Sequence, residues 1–142
     1  MYSAEDLAER DIRAFNDQDL EAKVAISSPE LEFVVPGATL RGLEEAGVFA
    51  RAMWEAFPDG WITTVQRASE GSWVAVEATF SGTHDGTLHS PSGDIPATGR
   101  RVKLQCVVIY EMASERIVAK RFYFDRVDLL TQIEAMPAPA QV

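Results

Sequence analysis

The chain has 142 residues, of which 22 are acidic and 13 are basic, giving a formal net charge of −9 at pH 7. This length is enough for one domain with one hydrophobic core. The acidic balance argues against a nucleic-acid-binding surface and against docking on anionic lipid, because both need clustered Lys and Arg.

Composition also limits the chemistry and the location. One cysteine, Cys106, excludes an internal disulfide, and together with His84 and His89 it is too few residues for a dedicated zinc site. Cys106 lies in an apolar run and is interpreted as a small buried hydrophobe. The acidic, polar N-terminus and the lack of a transmembrane-length apolar run predict a cytoplasmic protein.

The first 60 residues favour helices around one strand. Ser3 followed by Asp6 forms a capping-box pattern, and Leu7, Ile12 and Phe15 then fall near helical spacing. The predicted elements are a helix at 3–16, a short helix that starts at Asp19 and ends at Pro29, a strand at 30–35, a turn at Pro36-Gly37, and an apolar-striped helix at 43–57 stopped by Pro58.

The rest of the chain is rich in β-strand patterns. Strands are predicted at 60–69, 72–84, 100–112 and 116–125, with a long loop at 85–99, a closing helix at 127–136 and a frayed tail at 137–142. Helices followed by antiparallel strands predict an α+β fold in a single domain at 1–136. Its long strands would need bulges to curve, and the helices would wrap the curved sheet and enclose a cavity.

Several stretches resemble one known family. They are THDG at 83–86, IPATGRRV at 95–102, RIVAKRFYFD at 116–125 and LLTQI at 129–133. These resemble the SnoaL-like polyketide cyclases of the nuclear transport factor 2-like superfamily. The resemblance implies a cone-shaped α+β fold with a deep apolar pocket, a homodimer, and aromatic polyketide ring closure by intramolecular aldol condensation, without a cofactor or metal. Relatives include hydroxylases and isomerases, and many members have no known activity.

The resemblance places the acid–base aspartate of the family at Asp125, the end of the last strand. An aldol closure needs a base beside a carbonyl, and a buried carboxylate has a raised pKa that suits this work. The neighbours Phe122 and Phe124 make such burial plausible, and strand alternation puts Tyr123 on the same face as Asp125. The alternative is that Asp125 caps the following helix.

Other candidates are less specific. His84 is a candidate second acid–base group, although such a histidine more often lies at a strand edge near solvent. Arg101 could contact a substrate carbonyl or pair with the protein's many acids. The family also implies a histidine on the strand at 100–112, where this chain has none and offers Gln105 as a polar group. Trp54 and Phe33 are the aromatic residues expected to line a pocket for a hydrophobic or aromatic molecule.

Three functions remain open from the sequence. The first is a cofactor-independent cyclase that holds a flexible chain in a reactive geometry. The second is a hydroxylase or isomerase relative that uses the same cavity, with Tyr123 as a hydrogen-bond donor. The third is a non-catalytic module for small-molecule binding or dimerisation.

Overall fold

A computed structural model describes residues 2–137 of the chain. The helices are α1 (Ala4–Asn16), α2 (Leu20–Ala25), α3 (Gly42–Ala56) and α4 (Arg126–Gln132). The strands are β1 (Ser27–Val35), β2 (Ala38–Arg41), β3 (Trp61–Glu70), β4 (Trp73–Thr83), β5 (Leu88–Ser90), β6 (Gly93–Ile95), β7 (Arg101–Ala113) and β8 (Arg116–Phe124). Residues 138–142 of the predicted tail lie outside the described residues.

Side-chain caps start the helices α1 and α2 where the sequence predicts them. The backbone N–H of Asp6 donates to Ser3 Oγ and that of Ser3 donates to Asp6 Oδ2, both at 3.1 Å, which confirms the capping box of α1. Asp19 Oδ1 accepts from the Ala22 N–H at 3.0 Å and begins α2. These contacts satisfy donors that a helix N-terminus otherwise leaves without partners.

The main sheet has six strands in the order β2-β1-β8-β7-β4-β3. Its adjacent strands are antiparallel except β1 and β8, which run parallel because the chain crosses from one to the other through most of the fold. Register shifts interrupt the β1–β8, β3–β4 and β7–β8 pairings, and such bulges bend long strands. The open, curved sheet with its N-terminal helices confirms the predicted α+β cone fold.

The start of β1 and three short strands differ from the sequence prediction. The strand β1 begins at Ser27, so Pro29 lies inside a strand and not directly after a helix. The pairing of β1 with β8 is irregular between Ser27 and Glu32, which accommodates a residue without an N–H donor. The strands β2, β5 and β6 were not predicted, because three- and four-residue strands leave too little alternation to detect.

The hydrophobic core lies between the helices and the concave face of the sheet. Strand alternation is regular along β4, where buried residues such as Val74, Val76 and Phe80 alternate with more exposed ones. The helix α1 buries Leu7 and Phe15 against this face. Among residues 2–137, no helix combines the length and apolar character needed to cross a membrane.

Candidate functional site

An apolar cavity lies between the helices α1, α2 and α3 and the concave face of the sheet. The cavity has a volume of about 60 Å³, and the wider hollow around it, including its opening to solvent, measures about 780 Å³. The mouth lies beside α2 and α3, where the lining residues Val24 and Leu43 reach the surface. An apolar cavity of about 150 Å³ can bind benzene. An aromatic ring therefore enters this cavity only if lining side chains move.

Four ionisable side chains form a cluster in the wall of this cavity. Asp11, Lys120 and Tyr110 are 4%, 5% and 1% exposed, and Lys23 is also largely buried. Lys23 Nζ donates to Asp11 Oδ1 at 2.8 Å, and the Tyr110 hydroxyl donates to Asp11 Oδ2 at 2.9 Å. Lys120 Nζ lies 3.4 and 3.3 Å from these two oxygens. One carboxylate thus holds two ammonium groups and a phenol, and we call these four residues the Asp11 cluster.

Local structure explains how these polar groups come to be inside. Asp11 is four residues from both Leu7 and Phe15, so it occupies the apolar face of α1 that packs on the core. Lys120 and Tyr110 are direct cross-strand partners on β8 and β7, and both side chains point to the concave face. The pairing register of β7 and β8 brings Tyr110 and Lys120 together. The packing of α1 on the sheet then places Asp11 beside them, although α1 is distant in sequence.

The short helix α2 positions Lys23. Its ammonium also lies 3.4 Å from the backbone carbonyl of Asp11, so it bridges α2 to α1. The hydroxyl of Ser27 donates to the Lys23 carbonyl at 2.7 Å and joins the end of α2 to β1. Lys120 Nζ in addition lies 4.5 Å from the ring centroid of Phe33, a distance typical of a cation–π contact.

The pKa values of Asp11 and Lys120 are shifted by different causes. Burial alone would raise the pKa of Asp11, but the charges of Lys120 and Lys23 and the hydrogen bonds from Lys23 and Tyr110 outweigh it and hold that pKa well below its usual range. Burial lowers the pKa of Lys120 to about 8, although Asp11 opposes the shift. Burial raises the pKa of Tyr110 well above its ordinary value. Lys120 is therefore the group of the cluster that can exchange a proton near neutral pH.

Asp125 does not face the cavity, which corrects the expectation that this acid points inward. Its side chain is exposed, and its Oδ1 accepts from the backbone N–H groups of Val127 and Asp128 at 2.9 and 3.2 Å. It is the N-cap of α4, the alternative that the sequence left open. The apolar neighbours Phe122 and Phe124 lie on the opposite side of the strand, where Phe122 lines the cavity.

Three other predicted site residues lie on the convex face of the sheet. Tyr123 is 48% exposed and pairs with Val107 on the outer side of β7. Gln105 is exposed on the same face, opposite Thr79. Arg101 Nη1 contacts Asp59 Oδ2 at 3.4 Å, the acid-pairing alternative for this residue. The structure does not bring these side chains to the cavity.

His84 is buried but also lies away from the cavity. Its Nδ1 accepts from the Thr98 backbone N–H at 3.3 Å and lies 2.9 Å from the Thr98 hydroxyl, so the ring proton of the neutral form is on Nε2. Nε2 has no hydrogen-bond partner among residues 2–137, and burial lowers the pKa of the ring. Nearby, a Cβ on Gly86 would lie 1.8 Å from the Glu55 carbonyl oxygen. The THDG stretch therefore holds the 85–99 loop against the end of α3.

The two predicted aromatic residues lie near the cavity in different ways. Phe33 lines the wall, in contact with Lys120 and with the ring of Phe49 at a centroid distance of 5.3 Å. Trp54 is half-buried and stands behind Phe15, donating its indole N–H to the Phe15 carbonyl at 3.0 Å. Phe33 can thus contact a ligand directly, whereas Trp54 supports a lining residue.

The sequence prediction missed the Asp11 cluster altogether. The signals were an acid inside the apolar periodicity of a helix, at Asp11, and a lysine sharing strand parity with Phe122 in an apolar strand, at Lys120. A charged residue in an apolar stripe is the exception that indicates a paired or functional group. Within residues 2–137, no group of three His, Cys, Asp or Glu side chains could hold a metal ion.

Comparisons with known proteins agree on one family. The family described as SnoaL-like polyketide cyclase matches residues 5–133. A structure from Jannaschia sp. CCS1 that is assigned to the SnoaL-like polyketide cyclases has a TM-score of 0.83 at 21% identity, covering 94% of this chain and 93% of its own. No curated protein matches the chain.

Two further solved structures share the fold. One from Pseudomonas putida KT2440, assigned as a polyketide cyclase, has a TM-score of 0.82 at 21% identity, with 93% of this chain and 98% of its own covered. AclR from Streptomyces galilaeus, assigned as a hydroxylase, has a TM-score of 0.80 at 20% identity, with 94% and 97% covered. Different reactions are thus assigned to proteins that share this fold.

Proposed function

Because the chain belongs to the SnoaL-like polyketide cyclase family, we propose that it is an enzyme that moves protons on a hydrophobic carbonyl compound held in the apolar cavity, with no cofactor. The observation that carries the proposal is the Asp11 cluster, which puts a lysine with a pKa lowered to about 8 in the wall of an apolar cavity. Apolar surroundings with a few convergent polar groups and a perturbed pKa are typical of active sites.

The four residues have distinct roles in this proposal. Neutral Lys120 is the base, because its proton is lost at a pH where Asp11 is already ionised and Tyr110 is still protonated. The ammonium of Lys23 stabilises negative charge that develops on a substrate oxygen. Asp11 is a positioning residue that holds both lysines, and Tyr110 fixes its carboxylate through the 2.9 Å hydrogen bond.

The reaction we propose is an intramolecular aldol ring closure. Lys120 takes a proton from the carbon beside one carbonyl and leaves an enolate. The enolate carbon forms a bond to the carbon of a second carbonyl in the same molecule, whose C=O electron pair moves to oxygen. The resulting alkoxide takes the proton back from the Lys120 ammonium. One residue therefore removes and returns the same proton, so the overall change needs neither oxidant nor reductant.

Proton exchange on a model ketone tests this assignment without knowledge of the natural substrate. We expect the protein to accelerate deuterium incorporation beside the carbonyl of 2-tetralone in D2O at pH 8, followed by NMR. Lys120→Met should reduce the accelerated rate by about 10²- to 10⁴-fold, the usual contribution of a positioned base. Lys120→Met leaves Asp11 paired with Lys23 at 2.8 Å, so the folded state keeps a balanced ion pair.

Asp125→Asn decides between Lys120 and Asp125 as the group that exchanges the proton in the same assay. The Asp11 cluster predicts a rate within twofold of the unsubstituted protein, because Asp125 is exposed and caps α4. Loss of exchange in Asp125→Asn, with exchange retained in Lys120→Met, would contradict the proposal and favour the acid that the sequence resemblance indicates.

A binding module that does not turn over its ligand is the second candidate. The observation that favours it is the narrowness of the cavity, about 60 Å³, which leaves little room for a reacting polycyclic molecule. Saturable binding of 2-tetralone with no acceleration of exchange in the unsubstituted protein would support this function. An isomerase would use the same cavity and would also need a base such as Lys120 to move a proton.

Two copies of the chain, we propose, associate through the convex face of the sheet. Exposed apolar side chains on its strands include Trp61, Trp73 and Tyr123. Exposed large apolar side chains on one face of a sheet favour an interface, because they lose contact with water when a partner covers them. Tyr123→Glu should shift the mass measured by sedimentation equilibrium from that of two chains to that of one. A single-chain mass for the unsubstituted protein at all accessible concentrations would contradict this proposal.

A further inference from the structure

The Asp11 cluster contains more positive charge than negative charge. Below the pKa of Lys120, the charged side chains among the described lining residues are Lys23, Lys120 and Asp11, two cations against one anion. The remaining lining residues of the cavity are apolar except for the neutral Ser27 and Tyr110. The protein as a whole has a net charge of −9. The cavity wall therefore has the opposite sign to the rest of the molecule.

A buried surplus charge is costly unless an opposite charge or hydrogen-bond acceptors compensate it. Each ammonium has three N–H donors. Among residues 2–137, the hydrogen bonds of Lys120 Nζ go to the two Asp11 oxygens, at 3.3 and 3.4 Å, and Nζ also lies over the face of the Phe33 ring. Both oxygens are also shared with Lys23 or Tyr110 at shorter distances. Two of the three Lys120 N–H donors are thus directed at Asp11 through long contacts, and the third remains available to the cavity.

We propose that the cavity takes its ligand as an organic monoanion, an enolate or phenolate whose deprotonated oxygen lies against Lys120 and Lys23. This inference rests on the proposed function and concerns the charge of its ligand, which would be bound with one oxygen deprotonated. Phe33, Phe49 and Phe122 form the ring-rich part of the wall, with centroid distances of 5.3 and 6.4 Å between neighbours, and suit an aromatic body.

Charge conservation connects the anion to the proposed reaction. With Lys120 neutral, the cluster has no net charge, because Asp11 balances Lys23. When a substrate proton moves to Lys120, the cluster gains one positive charge and the substrate becomes an enolate with one negative charge. The total within the cavity stays at zero throughout. The cluster with Lys120 protonated, which has one surplus positive charge, is therefore the state that fits the deprotonated ligand. A preformed anion should bind to this state directly.

Binding of 4-nitrophenol, compared with 4-nitroanisole, tests this inference. The two compounds have similar size, but only the phenol can ionise, and its visible absorption reports the ionisation state of the bound molecule. We expect the protein to bind 4-nitrophenol as the phenolate and to lower its apparent pKa by about one unit or more, a tenfold or larger preference for the anion. Affinity for the phenolate should fall above pH 8, because Lys120 loses its proton there. The other ionisable side chains that face the same ligand are Lys23, Asp11 and Tyr110.

Variants make the outcome specific to the cluster. Lys120→Met should weaken phenolate binding about tenfold or more and leave 4-nitroanisole unaffected. Lys103→Met is the matched control, because Lys103 is an exposed lysine on β7, and it should change neither affinity. Phe49→Ala widens the cavity near its mouth and keeps the test decisive where the unsubstituted cavity is too narrow for the ring.

Two results would overturn the inference. One is equal or tighter binding of 4-nitroanisole, or of the neutral phenol, in both the unsubstituted protein and Phe49→Ala. The other is the absence of phenolate binding in both. The proposed function fails separately, through the loss of ketone proton exchange. Ketone proton exchange without a preference for the bound anion would reject only the inference that the ligand is a monoanion. A preference for the bound anion without ketone proton exchange would reject only the proposed catalysis.

Discussion

The molecule contains two aspartate–tyrosine pairs in opposite surroundings. Inside, Asp11 accepts a 2.9 Å hydrogen bond from Tyr110 and lies between two lysines in the cavity wall. Outside, Asp125 follows Tyr123 by two residues at the end of β8, and both side chains are exposed. The inner pair has strongly shifted pKa values, while the outer carboxylate is bonded to the backbone N–H groups of α4.

The comparison shows that residue type and sequence position do not decide what a carboxylate can do. Burial and neighbouring charges decide it. Asp11 is so well compensated by its cations that it is a weak base, and the proton that can move belongs to its lysine partner. Asp125 is exposed, and its carboxylate serves as the N-cap of α4.

The largest predicted difference between the two acids is in stability. Asp11→Asn removes the charge that compensates two buried ammonium groups and leaves both uncompensated. We expect the free energy of unfolding to fall by about 3–5 kcal/mol, the usual cost of removing one partner from a buried ion pair. Urea denaturation followed by circular dichroism at pH 7 measures it.

Asp125→Asn is the matched substitution at the outer acid. Asparagine caps helices about as well as aspartate, so the free energy of unfolding should change by less than about 0.5 kcal/mol. Equal losses in the two variants would mean that the Asp11 cluster contributes no more than an exposed helix cap, and would break the contrast between the regions.

A second, smaller effect is the pH dependence that Lys120 gives to stability. Burial lowers its pKa from 10.5 to about 8, so between these values the unfolded chain binds more protons than the folded protein. Stability from this residue therefore rises with pH across that window. Below pH 8 the charged, buried lysine costs up to about 3 kcal/mol, a cost that disappears toward pH 10.

Lys120→Met isolates this contribution. The variant should be more stable than the unsubstituted protein at pH 7, and its advantage should shrink as the pH approaches 10. Comparing variants is necessary because burial also raises the pKa of Cys106 to about 11, which opposes the trend at high pH in both proteins. Lys103→Met provides the exposed control, with a constant difference within about 0.5 kcal/mol. A constant offset for Lys120→Met would show that Lys120 is not titrating in the folded state.

Most of the fold could be predicted from the sequence because its signals are local and periodic. The capping box at Ser3 and Asp6, the apolar stripe of α3 and the alternation of β4 each report one element from its own residues. The parallel pairing of β1 with β8 could not be predicted this way, since it depends on which distant strands meet.

The site was out of reach for the same physical reason. Strand alternation correctly grouped Lys120 with Phe122 and separated them from Tyr123, but it does not say which of the two groups faces the helices. The family resemblance placed the acid–base group at the end of β8. Tyr123 and Asp125 were therefore expected to face the cavity, whereas Lys120 and Phe122 line it. Asp11 could have been suspected from its place in the apolar stripe of α1, but its partners lie on β7, β8 and α2.

The smallest predicted effect is the loss of the helix cap at Asp125 in the outer region. Asp125→Ala removes the acceptor for the backbone N–H groups of Val127 and Asp128 at the start of α4. The free energy of unfolding should fall by about 1 kcal/mol, and Asp125→Asn should restore most of it, because the amide oxygen also accepts at an N-cap. Ketone exchange should be retained in both variants, since α4 contributes no residue to the cavity wall. A loss of exchange that exceeds the loss of stability would return Asp125 to the chemistry and would make the two acids partners in one function.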